Sequence, residues 1–155
     1  MASVSANHAE VTMHVRRPQE QMAGCCWLPR FADKAQLYRS GRLPFLYRLA
    51  FGSRLGVDGY FLRHFKLSLF DFIGGVAQAI DDHALAQWFL AHPGVTAQRI
   101  ASWNLFAPQL GTRGHPGFIT RHVVKWALYP KSVIRPVNSL FDAIEQDEGT
   151  GAFHT

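Results

Sequence analysis

The feature that most constrains this fold is the recurrence of apolar residues at helical spacing, in segments that proline and glycine keep short. Alternating β-branched runs of the kind that form strands are almost absent. A short helix has one apolar face and must bury it against other elements. The sequence therefore predicts an all-α fold, a compact bundle of about six to eight short helices.

Length and composition favour one domain. The chain has 155 residues, of which 48% are hydrophobic and 17% charged. That length fits one domain with its own core, and the composition is unlike that of disordered chains. We expect residues 1–15 to form a disordered tail, residues 16–148 a single helical domain, and residues 149–155 a frayed C-terminus.

The first helices can be placed from their start and stop signals. Pro29 is suited to the first turn of a helix, and Ser40-Gly41 is suited to its end. Asp58 is predicted to cap a third helix. Between them a second helix is expected, and its spacing predicts a buried face made of Leu43, Leu46, Tyr47 and Ala50.

A central helix is predicted to open at Ser68, and two more to follow the capping residues Asp81 and Thr96. Later helices are expected over residues 118–128 and from Asn138. The buried stripe of the central helix is predicted to comprise Leu69, Ile73, Val76, Ala77 and Ile80. The core is predicted to include Phe61, Ile73, Val76, Trp88, Phe89, Ile100 and Phe141.

The sequence gives no sign of secretion or of a membrane span. Residues 1–10 lack a basic start followed by an apolar run, and no segment has the apolar length that crosses a bilayer. The two cysteines, Cys25 and Cys26, are adjacent, and a disulfide between neighbours constrains almost no chain. We therefore expect a cytoplasmic protein without a membrane partner, in which these thiols act as small hydrophobic side chains.

Charge is distributed in blocks along the chain, whose formal net charge is +5. Residues 30–66 carry eight basic and two acidic side chains, and residues 67–98 carry acids without Lys or Arg. Residues 99–135 are again basic, and residues 142–148 are acidic. Such blocks either attract polyanions or neutralise one another when the chain packs.

Residues 121–135 interleave basic and aromatic side chains. Cations neutralise phosphates and aromatic faces stack on bases, a combination typical of single-stranded nucleic-acid sites. An ordinary helix that buries Trp126, with the acidic tail as counter-charge, accounts for the same composition. The candidate binding residues in this segment are Arg121, His122, Lys125, Lys131 and Arg135.

A second candidate site lies at the start of the first helix. Arg30, Asp33 and Lys34 are three or four residues apart, so they are neighbours on the helix surface. A carboxylate beside two cations can bind an anion or act as a tuned acid–base pair. A structural ion pair between Arg30 and Asp33 is the alternative.

Were a polar pocket present, its walls are expected to contain Trp103, Asn104, His115 and His122 together with the Arg30–Asp33 pair. The histidines show no metal-binding spacing, and no motif places a serine beside a base, so we predict neither a metal nor a cofactor and assign no catalytic residue.

Several segments resemble one known protein family. The most specific of them is Trp27-Leu28-Pro29-Arg30-Phe31-Ala32-Asp33-Lys34-Ala35. The others are Arg16-Arg17-Pro18, Val57-Asp58 with Phe61-Leu62, Ala101-Ser102-Trp103-Asn104, and Leu140-Phe141-Asp142 with Asp147-Glu148. Over residues 16–148 the chain resembles an uncharacterised bacterial family, domain of unknown function number five thousand and sixty-nine. The resemblance implies a small, bacterial, cytoplasmic helical protein and supplies no activity, cofactor or catalytic residue.

Two functions fit these observations. The first is a non-catalytic helical binding module whose basic, aromatic face engages an acidic partner, either a protein or a nucleic acid. The alternative is a small enzyme with a polar cleft between the loop at residues 107–117 and the first helix.

Overall fold

The computed structural model describes residues 14–111 together with residues 141 and 144. Within these residues the chain forms β1 (Gln21–Met22), β2 (Cys25–Cys26), α1 (Leu28–Arg39), α2 (Phe45–Ala50), α3 (Val57–His64), α4 (Leu69–Gln78), α5 (Asp82–Ala91), α6 (Ala97–Phe106) and a 3-10 turn (Ala107–Gln109). The predicted all-α fold is confirmed. The sequence did not indicate the small antiparallel hairpin, in which Gln21 pairs with Cys26 and Met22 with Cys25.

Side-chain caps begin three of the helices as the sequence predicts. Ser68 accepts a hydrogen bond from the backbone of Asp71, and Asp81 accepts one from the backbone of Ala84. The hydroxyl of Thr96 begins α6 in the same way. Each cap satisfies a backbone N–H that has no partner inside the helix, and this fixes where the helix starts.

An aromatic cluster fills the core between α1, α3, α4 and α6. The rings of Phe31 and Phe72 are stacked with centroids 4.1 Å apart, and Phe61 meets Trp103 edge to face at 5.3 Å. Aromatic rings favour both geometries. The core prediction is confirmed for Phe61, Val76, Phe89, Ile100 and Phe141, which are buried.

Ile73 and Trp88 meet the core prediction less fully, since they are partly buried and pack against the cluster at its edge. The stripe predicted for α4 is also displaced. Ala77 is exposed, and Ile80 is 91% exposed because α4 ends at Gln78 and leaves that residue beyond the helix. The buried residues of α4 are Phe72, Gly75 and Val76.

The face predicted for α2 is confirmed at Leu43, which is buried, and in part at Tyr47 and Ala50, which are partly covered. None of the six residues of α2 is buried. The buried residues lie just outside it, at Leu43 and Phe51. Two buried anchors thus hold a short helix on the surface, and Leu46, expected inside, is 46% exposed.

The helices predicted over residues 118–128 and from Asn138 lie outside the described residues, as do residues 1–13, most of the predicted tail. Phe141 and Ile144 are the described exceptions, and both are helical and buried.

Candidate functional site

The fold separates the predicted cluster at the start of α1. Lys34 turns into the core, where its ammonium lies 2.7 and 2.8 Å from the two carboxylate oxygens of Asp58. Both residues are buried. Asp33 instead faces the N-terminal segment, where Arg16 binds it. Neighbours on one helix therefore do not form one site here.

Asp58 is the centre of the buried polar group. Besides Lys34, it accepts hydrogen bonds from the indole N–H of Trp27 at 2.8 Å and from the backbone N–H of Gly52 at 3.0 Å. The prediction that Asp58 caps α3 is wrong, because Gly56 occupies that position. A buried carboxylate with this many donors is fully satisfied, so it joins α1, α3 and the intervening loop rather than offering a vacant ligand.

The indole ring of Trp27 contacts two cations and one aromatic ring in this buried cluster. The guanidinium of Arg30 lies 5.4 Å from the centroid of its indole ring, and the ammonium of Lys34 lies 4.8 Å from it. The ring of Phe141 stacks on the indole at 5.4 Å. Arg30 is 1% exposed, and its partners include the indole face of Trp27 and the carbonyl of Arg16, to which it donates a hydrogen bond.

Arg16 joins the N-terminal segment to two helices. Its guanidinium donates to Asp33 of α1 at 2.9 Å and to Asp82 of α5 at 2.5 Å. These hydrogen bonds, that to Asp33 foremost, raise the pKa of Arg16 above its ordinary value, although partial burial opposes the shift. The predicted pairing of Asp33 with Arg30 is therefore wrong, because the chain brings in a more distant arginine.

A small cleft opens beside Arg16. It has a volume of about 120 Å³ and lies between α1, α4 and α5, lined in part by Asp33, Gln36, Val76 and Asp82. Small-molecule sites usually have about 300–1,000 Å³. Since Arg16 already pairs with Asp33 and Asp82 of its lining, and Asp81 caps α5, this cleft does not support a substrate site.

Trp103 and Asn104, predicted to line a pocket, instead hold the hairpin. The indole of Trp103 donates to the carbonyl of Cys26 at 2.9 Å. The side-chain oxygen of Asn104 accepts from the backbone N–H of Cys26 at 2.9 Å, and its amide donates to the carbonyl of Gly24 at 2.7 Å. These bonds satisfy hairpin backbone groups that would otherwise be unpaired.

The two thiols are enclosed by this packing. Cys25 and Cys26 are free and buried. Burial raises the pKa of Cys26 to about 11, and it raises the pKa of Cys25 further. A thiol held in its neutral form is a poor nucleophile and a poor metal ligand, in line with a packing role. Within residues 14–111, no group of three or more metal-ligating side chains converges.

The remaining predicted site residues lie outside the described residues, so the basic, aromatic face over residues 121–135 stays a prediction. They are His115, Arg121, His122, Lys125, Lys131 and Arg135.

A different cationic surface does appear among the described residues, around α2. Between residues 38 and 66, Asp58 is the single acid, and it is buried against Lys34. The exposed charges of this segment are therefore all positive. We call the surface of α2 and its two connections the α2 face, and its cations are Arg39, Arg42, Arg48, Arg54 and Arg63, of which Arg63 donates to the carbonyl of Arg54.

The α2 face also carries exposed apolar side chains. Phe45 is 65% exposed and Leu49 is 61% exposed, and one helical turn separates them. Leu46, Leu55 and Tyr38 are also exposed. The charge block was visible in the sequence. The exposure of these apolar side chains could not be predicted from the sequence, because helical spacing alone does not distinguish an inward face from an outward one.

A family model described as Domain of unknown function (DUF5069) matches residues 12–150. No curated protein and no solved structure matches the chain. Across the described part of the chain, no helix combines the length and apolar character that crossing a membrane requires.

Proposed function

Since the chain belongs to this family of domains of unknown function, its role has to be inferred from its own surface, and we propose that it is a non-catalytic binding module. Its α2 face engages an acidic partner. As part of the same proposal, the module acts in the cytoplasm.

One observation carries the proposal. Every exposed charge between residues 38 and 66 is positive, because the only acid of the segment, Asp58, is buried and paired with Lys34. A surface of one sign raises the local concentration of oppositely charged partners and speeds their association. In the described part of the chain, the side chains of Arg42, Arg48 and Arg54 make no ion pair that would neutralise them.

The other polar side chains near the predicted site are already paired inside the fold, which favours a binding role over catalysis. Lys34 and Asp58 bind each other in the core, Arg16 binds Asp33, and Asn104 binds the hairpin. Catalysis needs a polar group held beside a cavity that admits substrate. The described residues supply satisfied structural pairs instead.

Heparin, a soluble polyanion, tests the proposal. The variant R42Q/R48Q/R54Q removes three positive charges from the α2 face. The control Q78E/Q87E/Q98E lowers the formal charge equally, at exposed positions on α4, α5 and α6. We expect the arginine variant to elute from a heparin column at a lower salt concentration than the control. The slope of its log affinity against log salt concentration should also be smaller, by the equivalent of up to about three released counterions.

Equal elution of the two variants would contradict the proposal. It would mean that heparin senses the net charge of the chain and that the position of the arginines is irrelevant.

A further inference from the structure

The apolar half of the α2 face points to the class of partner. We infer that the partner is an acidic, amphipathic helical segment of another protein, which packs along α2 with apolar residues on one side and carboxylates toward the arginines. This inference rests on the proposed function, which by itself requires only a negative partner.

The geometry of α2 suits such a contact. Tyr47 and Ala50 turn toward the protein and are partly covered, whereas Phe45, Leu46 and Leu49 stay exposed. At 100° per residue, Phe45 and Leu49 lie side by side on the outer surface. They form the i, i+4 apolar ridge that helix-to-groove recognition uses.

Positive charge flanks this ridge along the chain. Arg48 lies on α2 itself, next to the ridge on the helical wheel, and Arg42 and Arg54 lie in the connections before and after the helix. All three are exposed. Apolar contact at the centre with charges at the rim is the usual anatomy of a protein interface. A partner that complements both parts must carry apolar residues bordered by Asp or Glu.

The apolar residues argue against a nucleic-acid partner. Sites for single strands use open aromatic faces on which bases stack, and three of the five exposed apolar residues here are leucines. The ring of Tyr38 is already stacked on Phe51 at 5.0 Å. Arg63 covers the ring of Tyr60 at 4.7 Å. Phe45 is left as an open stacking face on α2, too little for a strand of bases.

A lipid surface also fits less well. Helices that lie in the membrane interface bury a long apolar face, commonly over 20–30 residues. The helix α2 has six residues and is about 9 Å long. That length matches nearly two turns of a partner helix.

The test uses two labelled synthetic peptides made of the same leucines and glutamates. In the first the leucines share one helical face, and in the second they are spread around the helix. The face variant is L46S/L49S. Its matched control is L90S/L105S, which changes two exposed leucines on α5 and α6. Thermal melts first establish that both variants fold, which is expected at exposed positions.

We expect the amphipathic peptide to bind the parent chain more tightly than the scattered one. L46S/L49S should weaken that binding at least about tenfold, since burial of a single leucine returns more free energy than a tenfold change requires. L90S/L105S should leave it unchanged.

Other outcomes separate this inference from the proposed function. If heparin retention depends on the arginines but L46S/L49S has no effect on the amphipathic peptide, the inference is overturned and the proposed function stands. Tighter binding of a single-stranded oligonucleotide, or of phosphatidylglycerol vesicles, than of the peptide overturns it too. If the arginine variant and its charge-matched control also behave alike on heparin, both fail.

Discussion

The buried centre around Asp58 and the α2 face come from the same stretch of sequence, and they treat charge in opposite ways. In the centre, Lys34 is removed from water and its ammonium is held by a carboxylate and an indole ring. On the α2 face, Arg42, Arg48 and Arg54 are exposed, and none of them pairs with a carboxylate in the part of the chain that the structure describes. A count of charges along residues 30–66 cannot separate these two groups.

The difference matters because the energetics of the two regions differ. A buried charge costs several kcal/mol to desolvate, so it persists only with a partner and its loss is severe. An exposed charge contributes little to folding and is therefore available for binding. The centre should control stability, and the α2 face should control association.

The sharpest test of that comparison is Asp58→Asn. It keeps the shape of the side chain but leaves Lys34 as an uncompensated buried charge, so we expect a loss of about 3–5 kcal/mol in the free energy of unfolding. Urea denaturation measures it. Asp71→Asn, at an exposed position in the first turn of α4, should cost no more than about 1 kcal/mol. Equal losses would mean that burial does not distinguish these carboxylates.

A smaller effect should separate two adjacent glycines of α4. A Cβ at Gly75 would overlap the indole ring of Trp88, whereas a Cβ at Gly74 meets no atom within 4 Å. We expect Gly75→Ala to destabilise the fold by about 1–3 kcal/mol through overpacking. Gly74→Ala should stabilise it by up to about 1 kcal/mol through helix propensity. Thermal melts of both variants compare a packed position with an open one. Melting temperatures that change in the same direction in both variants would contradict this packing.

The buried thiols should make stability depend on pH. Their pKa values are raised in the folded chain, so the unfolded chain releases its protons first, near its ordinary pKa of about 8.5. Stability is therefore fully present below about pH 8.5 and falls as the pH rises toward the folded pKa of Cys26, about 11. At pH 10 we expect each thiol to account for a loss of about 1–2 kcal/mol.

The variant Cys25→Ala/Cys26→Ala isolates this contribution from the other groups that titrate at alkaline pH. Its stability should fall less steeply than that of the parent between pH 8.5 and 10.5. Parallel curves would show that the thiols are as accessible to water as they are in the unfolded chain.

The smallest effect belongs to the α2 face. R42Q/R48Q/R54Q should change the free energy of unfolding by no more than about 0.5 kcal/mol for each substitution, because exposed charges contribute little to folding. The same variant is expected to lose heparin retention. A large loss of stability would place these arginines in the structural group with Lys34 and would remove the separation between the two regions.

The candidate site could be predicted only in part. Arg30, Asp33 and Lys34 were predicted as one cluster, but Asp33 pairs with Arg16 and Lys34 with Asp58, which are distant from them in sequence. Helical neighbours are visible in a sequence, whereas a partner from another element is not. The structural use of Asn104 on the hairpin was missed for the same reason.

The sequence by itself determined the local features of the fold. Helix starts at Ser68, Asp81 and Thr96 follow from a side chain that caps its own next turn, an interaction within three residues. Apolar spacing likewise predicts that helices form and pack. These effects need no knowledge of the rest of the chain.

Only the tertiary structure decided which faces point inward. Leu46, Leu49 and Ile80 have the hydrophobicity of core residues, yet they are exposed, because Leu43 and Phe51 anchor α2 from outside the helix and α4 ends before Ile80. The tertiary structure likewise decided which charges are buried and which are exposed. Asp58 neutralises Lys34 because the fold brings α3 against α1, and the arginines around α2 are left in water because no described acid reaches them.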